Sequence, residues 1–186
     1  MDENIELVVE PENPVDESEP QALYEGVSVN TVQAGQAFVE RSLVGQVQAK
    51  GDVEVDRTIT GQVQAQGDVG VDRTLTGQVQ AKGNAEVERS LAGAIVAGTS
   101  VTIQAAAAPV VVAGTSVSVT SAYNELMVVG ADARVEKSFV GMLISNEVHL
   151  GEGSRVLLNT PQAVAFGVAA GVAMAFTFLA KHRRGR

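Results

Sequence analysis

The chain has 186 residues, no cysteine, no tryptophan and a formal net charge of −9. That length holds one domain with tails. The missing cysteine excludes a disulfide framework and thiolate metal sites, and the acidic balance argues against nucleic-acid binding, which needs cations to meet phosphates.

Residues 1–25 carry nine acids and no base, with prolines in EPENPVDESEP. Such a stretch cannot bury enough apolar surface to order itself and reads as a disordered, solvating tail. A sharper reading makes residues 5–9 (IELVV) a short strand that docks on a protein partner's sheet edge. No basic start followed by an apolar run marks a signal peptide there.

From 26 to 156 the chain repeats. Gly45, Gly61, Gly77 and Gly93 open successive 16-residue blocks, the first three reading GQVQAKGDVEVDRTIT, GQVQAQGDVGVDRTLT and GQVQAKGNAEVERSLA. A fixed short period means a stacked repeat architecture. The frame gives eight units from 29 to about 156, the first degenerate and the last slipped by one residue, with Val148 and Leu150 replacing His149. We number positions from each opening glycine as slots 1–16.

Slot 3 holds Val47, Val63, Val79, Ile95, Val111, Met127 and Leu143, slot 5 is mostly alanine, and slots 9 and 11 are mostly valine. Apolar residues two apart, with polar residues between, are strand patterning. Gly51, Gly67 and Gly83 at slot 7, then Gly98, Gly114 and Gly130 at slot 6, allow corners through positive φ. Slot 15 adds Leu43, Ile59, Leu75, Leu91 and Phe139. The expectation is an all-β, three-faced β-solenoid with one coil per 16 residues, a rod on the order of 38 Å long at one strand spacing per coil. The narrow interior suits a chain that is 4% aromatic. An up-and-down barrel or sandwich would show irregular turn spacing and more aromatics.

The phrases SLVGQVQAKGDVEV, TLTGQVQAKGNAEV and SFVGMLISNEVHL, within about residues 29–156, resemble the bactofilins, bacterial polymer-forming cytoskeletal proteins. The resemblance implies a right-handed β-helix that polymerises through its ends without nucleotide. The chain departs from that pattern in its hydrophobic C-terminal segment.

After a junction at 157–162, residues 163–180 (AVAFGVAAGVAMAFTFLA) carry no charge. Eighteen helical residues span roughly 27 Å, enough to cross the hydrocarbon of a bilayer. Thr160 can cap the helix and Pro161 suits its first position. Ala163, Gly167, Gly171 and Ala175 fall four apart, a small-residue row that lets two helices approach closely. The alternative is a helix buried in its own protein, for which a narrow solenoid has no room. The 181–186 tail, KHRRGR, favours the cytoplasm by the positive-inside rule. A C-terminal anchor inserted after synthesis instead leaves the solenoid in the cytoplasm, and this is the orientation we expect.

Slots 2 and 4 point outward. They are glutamines in three coils (Gln46/Gln48, Gln62/Gln64, Gln78/Gln80), whose amides can hydrogen-bond along the stack. They then become Ala94/Val96, Val110/Val112, Leu126/Val128 and Met142/Ile144. An apolar strip of this kind marks an interaction surface, and Val96, Val110, Val112, Leu126, Val128, Met142 and Ile144 are the self-association candidates. Slots 12 and 13 pair Glu40/Arg41, Asp56/Arg57, Asp72/Arg73, Glu88/Arg89 and Glu136/Lys137, an arrangement read as register control.

Catalysis finds little in the sequence. The two histidines, His149 and His182, are far apart, which argues against the hexapeptide-repeat acyltransferases and related carbonic anhydrases, and the 16-residue coil is not their phrase. There is no metal-binding spacing, phosphate loop or nucleophile elbow, so no catalytic, cofactor or metal site is expected. Thr58/Thr60 and Thr74/Thr76 resemble the threonine arrays of ice-binding solenoids, but Ser90/Ala92 breaks the array. Two classes remain: a membrane-anchored scaffold that self-associates through coil ends or the strip, and a monomeric tethered module that displays its solenoid to a protein or glycan.

Overall fold

A computed structural model describes residues 21–158. The expectations for residues 1–20, for the helix over 163–180 with its small-residue row, and for the basic tail lie outside the described residues; Gln21–Glu25, which the sequence reading includes in the disordered tail, forms a strand of the solenoid instead.

The described chain is a β-solenoid of about nine turns, each turn contributing one strand to each of two parallel sheets. The first sheet stacks β1 (Gln21–Glu25), β3 (Gln36–Glu40), β5 (Val53–Asp56), β7 (Val69–Asp72), β9 (Ala85–Glu88), β11 (Ser100–Gln104), β13 (Ser116–Thr120), β15 (Asp132–Glu136) and β17 (Glu147–Leu150). The second stacks β2 (Ser28–Ala34), β4 (Leu43–Ala49), β6 (Ile59–Ala65), β8 (Leu75–Ala81), β10 (Leu91–Ala97), β12 (Val110–Ala113), β14 (Tyr123–Val129), β16 (Phe139–Ile144) and β18 (Arg155–Leu158).

Register confirms the 16-residue coil. Val47 pairs with Val63, Val63 with Val79 and Val79 with Ile95. The stack has one turn more than the eight that the repeat frame predicts. Its first turn steps by 15 residues, pairing Gln21 with Gln36 and Ser28 with Leu43, and so falls out of the frame. The same 15-residue step recurs at the far end, where Ala133 pairs with Val148 and Val135 with Leu150. That is the slip visible in the sequence.

The core is a column of small side chains. Slot 3, from Val47 to Leu143, is fully buried, and so are most of slots 9 and 11. Burying each valine contributes roughly 1.5–3 kcal/mol, but only when a coil lies above and below it. Stability therefore belongs to the stack and not to any single coil.

The corners differ from expectation. The slot 6 and slot 7 glycines do not adopt positive φ. Left-handed backbone sits instead at slot 13, at Arg41, Arg57, Arg73, Arg89, Ala105, Ser121 and Lys137, with φ between 46° and 56°. The glycines serve close approach. A Cβ on Gly61 would lie 2.7 Å from the Gly45 carbonyl oxygen, and one on Gly114 would overlap the Gly98 carbonyl. A second corner falls at slot 1, inside the longer strands. Val44 and Val47, three residues apart, both point inward, and the pairing skips Gly45.

Polar side chains tie the coils together at the remaining corners. The Asp52 carboxylate accepts the Asp68 N–H at 2.8 Å, and that of Asp68 accepts the Asn84 N–H at 2.7 Å. Inside, Ser42, Thr58, Thr74 and Ser90 form a buried hydroxyl ladder at slot 14. Each hydroxyl from Thr58 onward accepts the N–H of its counterpart one coil earlier, at 3.4, 3.5 and 3.0 Å. Thr58 and Thr74 also donate to the Asp56 and Asp72 carbonyls at 2.8 Å. The threonines that resemble an ice-binding array are thus interior struts.

Thr74→Val keeps the shape but leaves the buried Thr58 N–H without an acceptor. Loss of about 1–3 kcal/mol is expected in urea unfolding. Ala106 interrupts the ladder, and Ala106→Ser, which returns a hydroxyl above the Ser90 N–H, is expected to gain about 1 kcal/mol.

Candidate interaction surfaces

Outward side chains form straight rows because every coil repeats the same register. Slot 2 runs from Gln46 through Gln62 and Gln78 to Ala94, Val110, Leu126 and Met142, and ends on Leu158. Slot 4 runs from Gln48 through Gln64 and Gln80 to Val96, Val112, Val128 and Ile144. The seven strip candidates therefore lie together on one face of β10, β12, β14 and β16. Val96 and Ile144 are exposed, and the five between are half-buried. The glutamines are in register below them. Among the described residues no amide–amide hydrogen bond joins those glutamines, so the expected amide ladder does not form.

The slot 12 and 13 pairs sit at the left-handed corner. Arg41 reaches Glu25 at 3.3 Å and Glu40 at 3.0 Å. Arg89 grips Asp72 of the preceding coil through two nitrogens at 2.9 and 2.7 Å. Arg57 lies 3.9 Å from Glu40 and 3.7 Å from Asp56, while among the described residues Arg73 pairs only with the Asp72 beside it, at 3.8 Å. All four guanidiniums are about half exposed, and such pairs contribute roughly 0–1 kcal/mol each. Three of the four span adjoining coils.

Slot 15 is as apolar as the buried slots, yet its side chains point outward. Leu43, Ile59, Leu75 and Leu91 are 48–56% exposed, and Tyr123 is 48% exposed. Tyr123 stacks on Phe139 with ring centroids 5.3 Å apart and planes 6° from parallel. The left-handed residue at slot 13 sets this parity. Slots 14 and 16 turn inward after it, so slot 15 must face water. The alternation at Thr58-Ile59-Thr60 and Thr74-Leu75-Thr76 reads, by itself, as an apolar residue facing inward, and only the left-handed corner at slot 13 reverses it.

His149 stands exposed at the end of the first sheet, 3.8 Å from Glu147, and His182 lies outside the described residues. Among the described residues, no cluster of three or more His, Asp or Glu side chains is placed to hold a metal ion. No helix among them is long and apolar enough to cross a membrane. No protein-family model, curated protein or solved structure matches this chain.

Proposed function

We propose that this chain is a membrane-anchored, non-enzymatic structural scaffold of the bactofilin kind: a right-handed, three-faced solenoid held in the cytoplasm by segment 163–180. It self-associates through its open coil ends or through the apolar strip. The observation that carries the reading is the change along one face, from stacked glutamine to stacked Val, Leu, Met and Ile. That apolar row ends on Leu158, a few residues before the uncharged segment. The first strand pair, β1 and β2, and the last, β17 and β18, each leave one edge without a neighbour among the described strands, and unpaired edges template further pairing.

The anchor is read from membrane fractions. The full chain is expected to stay with membranes through an alkaline wash, and a chain ending at Leu158 to be released; salt extraction of the full chain means peripheral attachment only.

The contact is read from size. In the chain ending at Leu158, Val112→Lys with Leu126→Lys is expected to lower the oligomer's mass, because an interface there would bury two unpaired ammonium groups at a cost of several kcal/mol. Gln48→Lys with Gln64→Lys is the matched control on the polar half. Unchanged mass in the first pair assigns the contact to the coil ends. A monomer in the unsubstituted chain supports instead a tethered module that binds a protein or glycan.

A further inference from the structure

One surface is used by neither the coil ends nor the strip. It is the slot 15 row, which rises one residue per coil from Leu43 to Phe139 in unbroken parallel register. It is bounded by Ser28 at one end and Arg155 at the other. Beside it, the side-chain-free backbone at Gly77 and Gly93 leaves a groove of about 530 Å³ walled by Ile59, Leu75 and Leu91. The large exposed side chains of the row offer on the order of 500 Å² per copy, so two copies sharing it would bury about 1,000 Å², the lower bound of a specific interface.

We propose that a second copy of this chain covers the row, the two rods lying side by side and antiparallel about a two-fold axis at Leu91. The proposal rests on the scaffold reading and adds a lateral contact to it. Leu91 is the middle member of the row, so reversal maps the row onto itself, as a two-fold interface requires. Side-chain size selects the direction. Antiparallel packing sets Phe139 against Leu43, Tyr123 against Ile59 and Ala107 against Leu75, so a bulky member or a small one always meets a leucine or isoleucine. Parallel packing sets Ala107 on Ala107, leaving a void between leucine and tyrosine layers, and cavities between packed apolar layers are destabilising. It also sets Arg155 on Arg155, whereas reversal places each Arg155 beside Ser28.

The chain contains no cysteine, so single cysteines report proximity without background. Packed sheet faces lie about 10 Å apart, beyond the reach of a disulfide, so a short thiol-specific cross-linker is the probe. It is applied to the full chain in lipid vesicles. Leu91→Cys is expected to give dimer at least tenfold above Leu43→Cys or Phe139→Cys, each of which meets a leucine or phenylalanine and not itself. The double variant Leu43→Cys/Phe139→Cys is expected to recover the dimer. Leu43 and Leu91 are exposed and Phe139 is half-buried on the outer face, so these changes leave the core intact, and circular dichroism checks that they do. Equal cross-linking of all three single variants would mean parallel packing and overturn the proposal. Absence of dimer from Leu91→Cys also overturns it. If Val112→Lys with Leu126→Lys still lowers oligomer mass in that case, the scaffold reading stands and only the lateral contact falls.

Discussion

Excision of residues 61–76 is expected to give a folded rod one turn shorter, whereas excision of 61–68 is expected to abolish cooperative folding. The first cut joins Thr60 to Gly77 and rebuilds the strand as Ile-Thr-Gly-Gln-Val-Gln-Ala, the sequence of β6. Every vertical relation survives. Val47 meets Val79, the Thr58 hydroxyl remains in the slot 14 ladder, and Gly77 comes over Gly45. The stack loses one valine layer and its hydrogen bonds, and neighbouring coils acquire equivalent partners.

The shorter cut joins Thr60 to Val69. It removes Val63 and Ala65 from the core together with most of β6, and β4 and β8 lose the partner between them. Residues that should lie in the first sheet now follow directly on the second. A core cavity of that kind and the unpaired backbone together cost more than the roughly 5–15 kcal/mol that separates folded from unfolded in a typical domain. Far-ultraviolet circular dichroism and urea melts decide it: a cooperative transition with a slightly smaller urea dependence for the first variant, none for the second. Equal behaviour of the two variants would show that the 16-residue coil is not the stacking unit.

The repeat makes the coil, the register and the buried slots legible in the sequence, because vertical stacking forces every coil to place equivalent residues at equivalent heights. Val47, Val63 and Val79 announce both the strand and its neighbours. Less was legible at the corners. The left-handed position falls on Arg57 and Arg73, residues with no intrinsic preference for it. Glycine, the residue that does prefer it, was used where adjacent backbones nearly touch. Sequence shows that glycine is required at Gly98 or Gly114 but not whether φ or space requires it. The same corner decides which way slot 15 faces. It turns the Leu–Ile–Leu–Leu row of slot 15 outward and the threonines of slots 14 and 16 inward, and nothing in the repeat marks that reversal. The terminal turns were missed or shifted for a different reason: a 15-residue step preserves stacking but breaks the period that identifies it.

Gly114→Ala against Gly70→Ala tests the close-approach account directly. At 114 the added methyl would overlap the carbonyl of Gly98 in the coil below, and Gly130 in the coil above is built the same way on Gly114. The obstructing atom is backbone within a parallel stack, so relief requires two coils to separate, not a side chain to rotate. Overpacking of this type costs typically 1–3 kcal/mol and more when the backbone cannot yield, so a loss of about 3 kcal/mol or more is expected. At 70 the methyl would point outward from β7, with only the Glu54 Cγ nearby at 3.9 Å. There the substitution reduces unfolded-state freedom without obstruction, and a gain of about 0.5–1 kcal/mol is expected. Neither glycine has positive φ, so backbone conformation does not distinguish them and space alone predicts opposite signs. Urea midpoints of the two variants measure the difference. If both lose stability to a similar degree, the glycines serve some property of the strand other than the distance between coils.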